Sequence, residues 1–286
     1  MLKLELLKKR SKKIRVGFYP YTYVRAVVMR TLLFKRDDYN KMLKMGFSEI
    51  AKFLQESHYR DEINELAIEH SGADLLEAAL NKNLSNSFKK LLRISSKQLA
   101  LLISEYLKRK DIEDLKTIIR GKFVNTDEKT LSKSITAAGT LSQGFLLSLI
   151  KKESVEEVLK NNGIVDFGLL KNALKEFNEK KSIVSIENVL DRHYYSSVMQ
   201  FSKSLRKEGE LFKNFLVKEV QILNILTLLR LKKAKFDKDF VKNFIISYDD
   251  KKEDVKVMAL ASLDDIEALS KALDKTKYRD IMQKGM

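Results

Sequence analysis

Residues 111–122, DIEDLKTIIRGK, return as residues 221–232, QILNILTLLRLK. Ile112, Leu115, Ile118 and Ile119 fall opposite Ile222, Ile225, Leu228 and Leu229. Thr117, Arg120 and Lys122 fall opposite Thr227, Arg230 and Lys232. The spacing is 110 residues, and it also aligns Leu80 with Leu190, Ser87 with Ser197, Lys97 with Lys207, Leu101 with Leu211 and Lys108 with Lys218. Generic helical periodicity tolerates many offsets, so agreement at one gapless offset indicates an internal duplication. The chain is therefore constrained to fold as copies of one helical module.

The ends repeat as well. LQESHYRDEI at 54–63 pairs with LDKTKYRDI at 273–281, and each follows an acid-led amphipathic stretch, FSEIAKFL or LDDIEALSKAL. ESVEEVLKNNG at 153–163 reads as the middle copy with its Tyr-Arg-Asp element lost. Three copies are expected, the last incomplete.

Helix breakers are scarce: one proline, Pro20, and ten glycines in 286 residues, which favours an all-α fold. The spacing of apolar residues predicts helices near 21–34, 36–44, 47–55, 59–68, 72–94, 95–107, 111–121, 127–134, 141–150, 153–160, 166–180, 185–207, 208–231, 237–247, 263–273 and 277–284. Thr126 or Asp127 is expected to cap one of these, Asn162-Gly163 to stop another, and Asp166 to restart the chain. The polar SYDDKKEDVK at 247–256 reads as a link. The four apolar residues of each duplicated helix should bury against neighbours, at about 1.5–3 kcal/mol per side chain. Its leading acids and trailing Arg and Lys would suit the helix dipole.

Chemistry is sparse. With no cysteine, disulfides and thiolate metal sites are excluded. His58, His70 and His193 lack ligand spacing, and the Asp37-Asp38 and Asp249-Asp250 pairs lack a third ligand. No P-loop, GxGxxG or HExxH occurs, and no Ser-His-Asp set suggests itself. No catalytic residue, cofactor or metal is expected. Phe18, Tyr19, Tyr21 and Tyr23 stand beside the basic run KKRSKKIR at 8–15, where base stacking is conceivable. The simpler expectation is packing, with hydroxyls bonded, and likewise for Tyr194 and Tyr195.

The net charge of +16 attracts nucleic acid, anionic lipid or acidic protein, although interspersed acids suit a solubilising surface. Apolar runs such as FLLSLI at 145–150 fall far short of the roughly 20 residues of a membrane span. The first 16 residues lack the apolar core of a signal peptide, so a cytosolic chain is expected, or one bound to a membrane protein from that side.

YTYVRAVVMRTLL at 21–33, DYNKML at 38–43 and SEIAKFLQESHYRDEI at 48–63 resemble the first unit of the C subunit of archaeal A-type ATP synthases, a family related to the d subunit of the vacuolar (V-type) ATPase. YLKRKDIEDLKTIIRGK at 106–122, VLDRHYYSSVMQF at 189–201 and FLVKEVQILNILTLLRLK at 215–232 are similar to later family elements, with Gln221 where the family has Asp. The resemblance covers about residues 20–284 and implies an all-α funnel of three similar units about a pseudo-threefold axis. The units would be 1–95, 96–205 and 206–286. The family continues for several dozen residues beyond YRDIMQKGM, so the third unit would be incomplete.

The resemblance further implies a non-catalytic central-stalk rotor adaptor at the cytoplasmic face of the membrane. It would join the D and F shaft subunits to the membrane proteolipid ring of a proton- or sodium-translocating enzyme. Arg120 and Arg230, with Arg25 and Arg30 in the corresponding first helix, are the candidate partner-binding or helix-capping residues. The competing expectation is a basic α-helical repeat protein that binds nucleic acid. A small-molecule enzyme would need a cluster of perturbed ionisable groups, and none is evident.

Overall fold

A computed structural model describes residues 19–205, 209–247 and 251–280. The basic run at 8–15, Phe18, Asp249-Asp250 and the end of the expected 277–284 helix lie outside them. All regular elements among the described residues are helices, in agreement with the all-α expectation. The chain divides into two compact units, one spanning Gly17–Glu187 and the other containing the residues from Asn188 onward.

The first unit opens with α1 (Pro20–Thr31), α2 (Arg36–Met42), α3 (Phe47–Gln55), α4 (Arg60–Leu66) and α5 (Gly72–Arg93). Pro20 occupies the first turn of α1, where its missing N–H costs nothing. Leu54 of α3, Ile63 of α4 and Leu75, Leu76 and Ala79 of α5 form one core cluster, joined at its edge by Phe34, Ile50, Tyr59 and Leu66. It then runs through α6 (Lys97–Phe123), α7 (Glu128–Ser134), α8 (Gln143–Ile150), α9 (Val155–Lys160) and α10 (Phe167–Lys180). Leu107, Ile112, Leu115, Ile118 and Ile119 of α6 are all buried, and α6 packs on α5, α7, α8 and α9.

The unit boundary falls inside α11 (Val184–Lys203). The second unit continues with α12 (Glu210–Lys233), α13 (Lys238–Lys242), α14 (Lys251–Ala261) and α15 (Ile266–Leu273). α12 packs on α13, α14 and α15.

Three expectations need correction. The helices anticipated at 95–107 and 111–121 are one, α6. The polar stretch between them stays helical because its charges pair along the helix surface: Lys108 with Glu105, Arg109 with Glu113 at 3.6 Å and Lys110 with Glu113 at 2.6 Å. The link at 247–256 contains the start of α14, where Val257 is buried and Lys256 pairs with Glu253 at 2.7 Å. The helix expected over 237–247 ends at Lys242, because Ile246 is held in non-helical form by Asn224.

The repetition extends to individual hydrogen bonds. After α6 the N–H of Val124 bonds the Arg120 carbonyl at 3.1 Å, and that of Thr126 bonds Gly121 at 2.8 Å. After α12 the N–H of Ala234 bonds Arg230 at 3.0 Å, and that of Phe236 bonds Leu231 at 3.1 Å. Asn125 (φ 55°) and Lys235 (φ 60°) supply the left-handed residue that this helix ending requires. Asp127 and Asp237 then cap α7 and α13, as expected for Asp127. Each pair is separated by 110 positions. The Tyr-Arg-Asp turns also match: Ser57 Oγ donates to the Leu54 carbonyl and Thr276 Oγ1 to that of Leu273, both at 2.6 Å. Arg60 N–H bonds Ser57 O at 3.2 Å, and Arg279 N–H bonds Thr276 O at 3.3 Å.

Candidate functional site

The four candidate arginines all lie on helices. Arg25 and Arg30 share α1 and are exposed, with the Arg25 guanidinium 5.0 Å from the centre of the Tyr21 ring. Arg120, in the last turn of α6, makes a two-pronged bond to Glu187, Nε at 2.6 Å and Nη2 at 3.0 Å. Arg230 is exposed in the last turn of α12. At the helix endings beside Arg120 and Arg230, backbone N–H groups bond back to helix carbonyls.

The packing expected of the early aromatics is met only in part. Tyr19 donates from its hydroxyl to Gln98 Oε1 at 3.3 Å, but Tyr21 and Tyr23 are 60% and 70% exposed. Helical phase explains this: Thr22, Ala26 and Met29 turn inward, which forces Tyr21 outward. Tyr194 and Tyr195 are buried, as expected.

The most organised polar site is one that the helix-dipole reading missed. Asp111 and Asp114 lie in the middle of α6, not at a helix start, and are 0% and 1% exposed. Asp111 accepts from Thr140 N–H at 2.7 Å, from Leu141 N–H at 2.8 Å and from the Thr140 hydroxyl at 2.6 Å. Asp114 accepts from Thr136 N–H at 2.8 Å and Ala137 N–H at 2.9 Å. Ser85 of α5 donates to the Ala137 carbonyl at 2.9 Å. Together they fasten the segment between α7 and α8 onto α6. Gly139 allows the close approach, since a Cβ there would lie 2.0 Å from Asp111 Oδ1 and 2.8 Å from its backbone nitrogen.

The sequence carried a signal for this site. Asp114 plus 110 is Asn224, and Thr136 plus 110 is Ile246. Asn224, 1% exposed, accepts from Ile246 N–H and donates to Ile246 O, both at 2.9 Å. The fastening bond therefore belongs to the repeated module. Gln221, opposite Asp111, differs: it accepts from Lys277 Nζ at 3.1 Å and donates to Glu253 at 3.2 Å.

Burial pushes the Asp114 carboxyl above the usual carboxylate range, with the neighbouring Asp111 adding to the rise and the Thr136 and Ala137 donors opposing it. A carboxyl so raised binds its proton more tightly folded than unfolded. It favours folding fully below the unfolded value of about 3.9, and this contribution is lost as pH rises through the folded value. Asn224 at the equivalent position carries no such charge. Asp114→Asn is therefore expected to gain stability relative to the parent as pH rises from about 4 to about 7. Urea titrations at the two pH values check this; a difference that does not change with pH would contradict it.

This arrangement holds backbone in place and offers no reacting group. Among the described residues no group of three His, Cys, Asp or Glu stands together to hold a metal ion. Nor is any helix there long and apolar enough to cross a membrane.

Comparison with known proteins decides the family. The profile of the ATP synthase (C/AC39) subunit matches residues 22–286. The chain belongs to that family. The C subunit of the A-type ATP synthase of Methanosarcina acetivorans is 39% identical over 229 residues, which are 80% of this chain and 62% of that protein. The namesake from Methanococcoides burtonii is 38% identical over 80% of this chain and 63% of its own length. That of Halobacterium salinarum is 32% identical over 79% and 66%. The chain thus spans about three-fifths of the length of the first two relatives. The C/AC39 family is that of a non-catalytic subunit of ATP synthases.

Proposed function

We propose that this C/AC39 chain is the central-stalk rotor adaptor of a proton- or sodium-translocating A-type ATP synthase. It joins the D and F shaft subunits to the membrane proteolipid ring and works peripherally, on the cytoplasmic face of the membrane. The three copies, 1–95, 96–205 and 206–286, gather as a funnel about a pseudo-threefold axis, and Arg25, Arg30, Arg120 and Arg230 lie on surfaces that meet the partners.

The observation that carries this reading is the recurrence of the fastened module. A part that transmits torque must not yield at its connections. Here the bond between long helix and following segment, Asp114 to Thr136 and Asn224 to Ile246, is repeated, and in both copies the helix side chain that accepts it is buried, at 1% exposure. Buried hydrogen bonds of this kind rigidify, because breaking one leaves a desolvated donor behind.

Capture of the tagged full chain from native membranes in mild detergent tests the reading. Recovery of shaft and proteolipid components in constant ratio is expected. Recovery of RNA without rotor components would overturn it and favour the nucleic-acid-binding alternative.

A further inference from the structure

The two long helices of the duplication are buried unequally, and the difference is confined to one side. Asp114 and Ile118 of α6 are buried, and so are their counterparts Asn224 and Leu228 of α12. Ile112 is 2% exposed, yet its counterpart Ile222 is 52% exposed. Leu115 and Ile119 are 0% exposed, whereas Ile225 and Leu229 are only half-buried. The uncovered side of α12 is apolar along its length: Leu211, Phe215, Ile222 and Leu226, all exposed, recur at spacings of four, seven and four.

The covered copy shows what belongs there. At the end of that side of α6, Phe177 of α10 meets Phe123 edge-on, with ring centres 5.9 Å apart. Glu187, in the first turn of α11, takes Arg120 with both carboxylate oxygens, and Ile186 beside it is 0% exposed. Arg230 stands where Arg120 does, but it is exposed, and among the described residues no carboxylate meets it. The position matching Glu187 would be 297, outside these 286 residues.

We propose that the open side of α12 seats an amphipathic helix like α11, carried by a partner polypeptide, whose first-turn glutamate takes Arg230 as Glu187 takes Arg120. Apolar residues at helical spacing form ridges that fit the grooves of another helix, and a forked guanidinium fixes the register by holding both oxygens of one carboxylate. A bilayer would use the stripe but gives Arg230 no carboxylate at a fixed place. A second copy of this chain cannot supply the glutamate from α11, because Glu187 already holds Arg120. The inference goes beyond the rotor reading and does not rest on it.

Fluorescence anisotropy of a labelled synthetic peptide with the sequence of residues 184–203, titrated with the purified full chain, tests this. Saturable binding of one peptide per chain is expected. Ile222→Asp, at an exposed position, should keep the circular dichroism and lose about tenfold in affinity. Arg230→Glu should lose about fivefold, and a peptide carrying Glu187→Lys should recover most of that loss on the Arg230→Glu chain. No saturable binding, binding unaffected by either variant, or a charge swap without recovery would overturn the proposal. Self-association of the chain that Ile222→Asp abolishes would overturn it in favour of a second copy. Flotation with lipid vesicles that the same change abolishes would overturn it in favour of a membrane surface. The measurement contains no other component of the synthase, so its result stands apart from co-purification with the shaft.

Discussion

Asp111→Ala is expected to lower the unfolding free energy by about 3 kcal/mol, because it removes a carboxylate that is 0% exposed and takes the acceptor from two backbone N–H groups and one hydroxyl of Thr140 and Leu141. Each buried donor left without an acceptor costs about 1–3 kcal/mol, and the truncated side chain leaves space that the loop refills incompletely. The measurement is a urea unfolding curve, read as a shift of midpoint at constant slope. Asp111→Asn keeps one acceptor oxygen and should fall between the parent and the alanine variant. A loss in Asp111→Ala of less than about 1 kcal/mol would mean that water replaces the carboxylate freely and that the segment between α7 and α8 is not fastened by it.

Gly139→Ala should be about as damaging, at roughly 3 kcal/mol or more, through a different cause. The added methyl would sit 2.0 Å from Asp111 Oδ1 and 2.8 Å from the Asp111 backbone nitrogen. A side chain can turn away, but the backbone of a 27-residue helix packed on four neighbours cannot. The loop must therefore move off α6 and give up bonds to Asp111. Since both substitutions undo one attachment, their combination should cost clearly less than the sum of the two. A strictly additive double variant would show that Gly139 acts elsewhere.

Much of the fold was legible because the deciding forces were local. Pro20 at a helix start, Asp127 and Asp166 as caps and the apolar spacing of α3 and α15 are all read along one stretch of chain. Where distant groups decided, the sequence misled. Asp111 and Asp114 look like dipole-favoured acids at a helix start; their burial depends on Thr136 to Leu141, more than 20 residues away. Ile246 continues an apolar pattern that suggests helix, but Asn224 takes both its backbone groups. Tyr21 and Tyr23 look like core residues by composition and are placed outside by the phase that Thr22 sets. Asp114 and Asn224 occupy the same place in the 110-residue comparison, which makes that comparison the strongest guide to the polar site.

The absence of cysteine makes one experiment unusually clean. Arg120→Cys and Arg230→Cys, taken singly, can be cross-linked to cysteines introduced into the D component of the shaft within the assembled ATP synthase, and ATP hydrolysis followed afterwards. If the chain is a rotor part that turns with the shaft, the cross-links form and turnover continues close to the uncross-linked rate. Cross-links that form and halt turnover, or a failure of both positions to reach the shaft in an intact complex, would contradict a rotor adaptor.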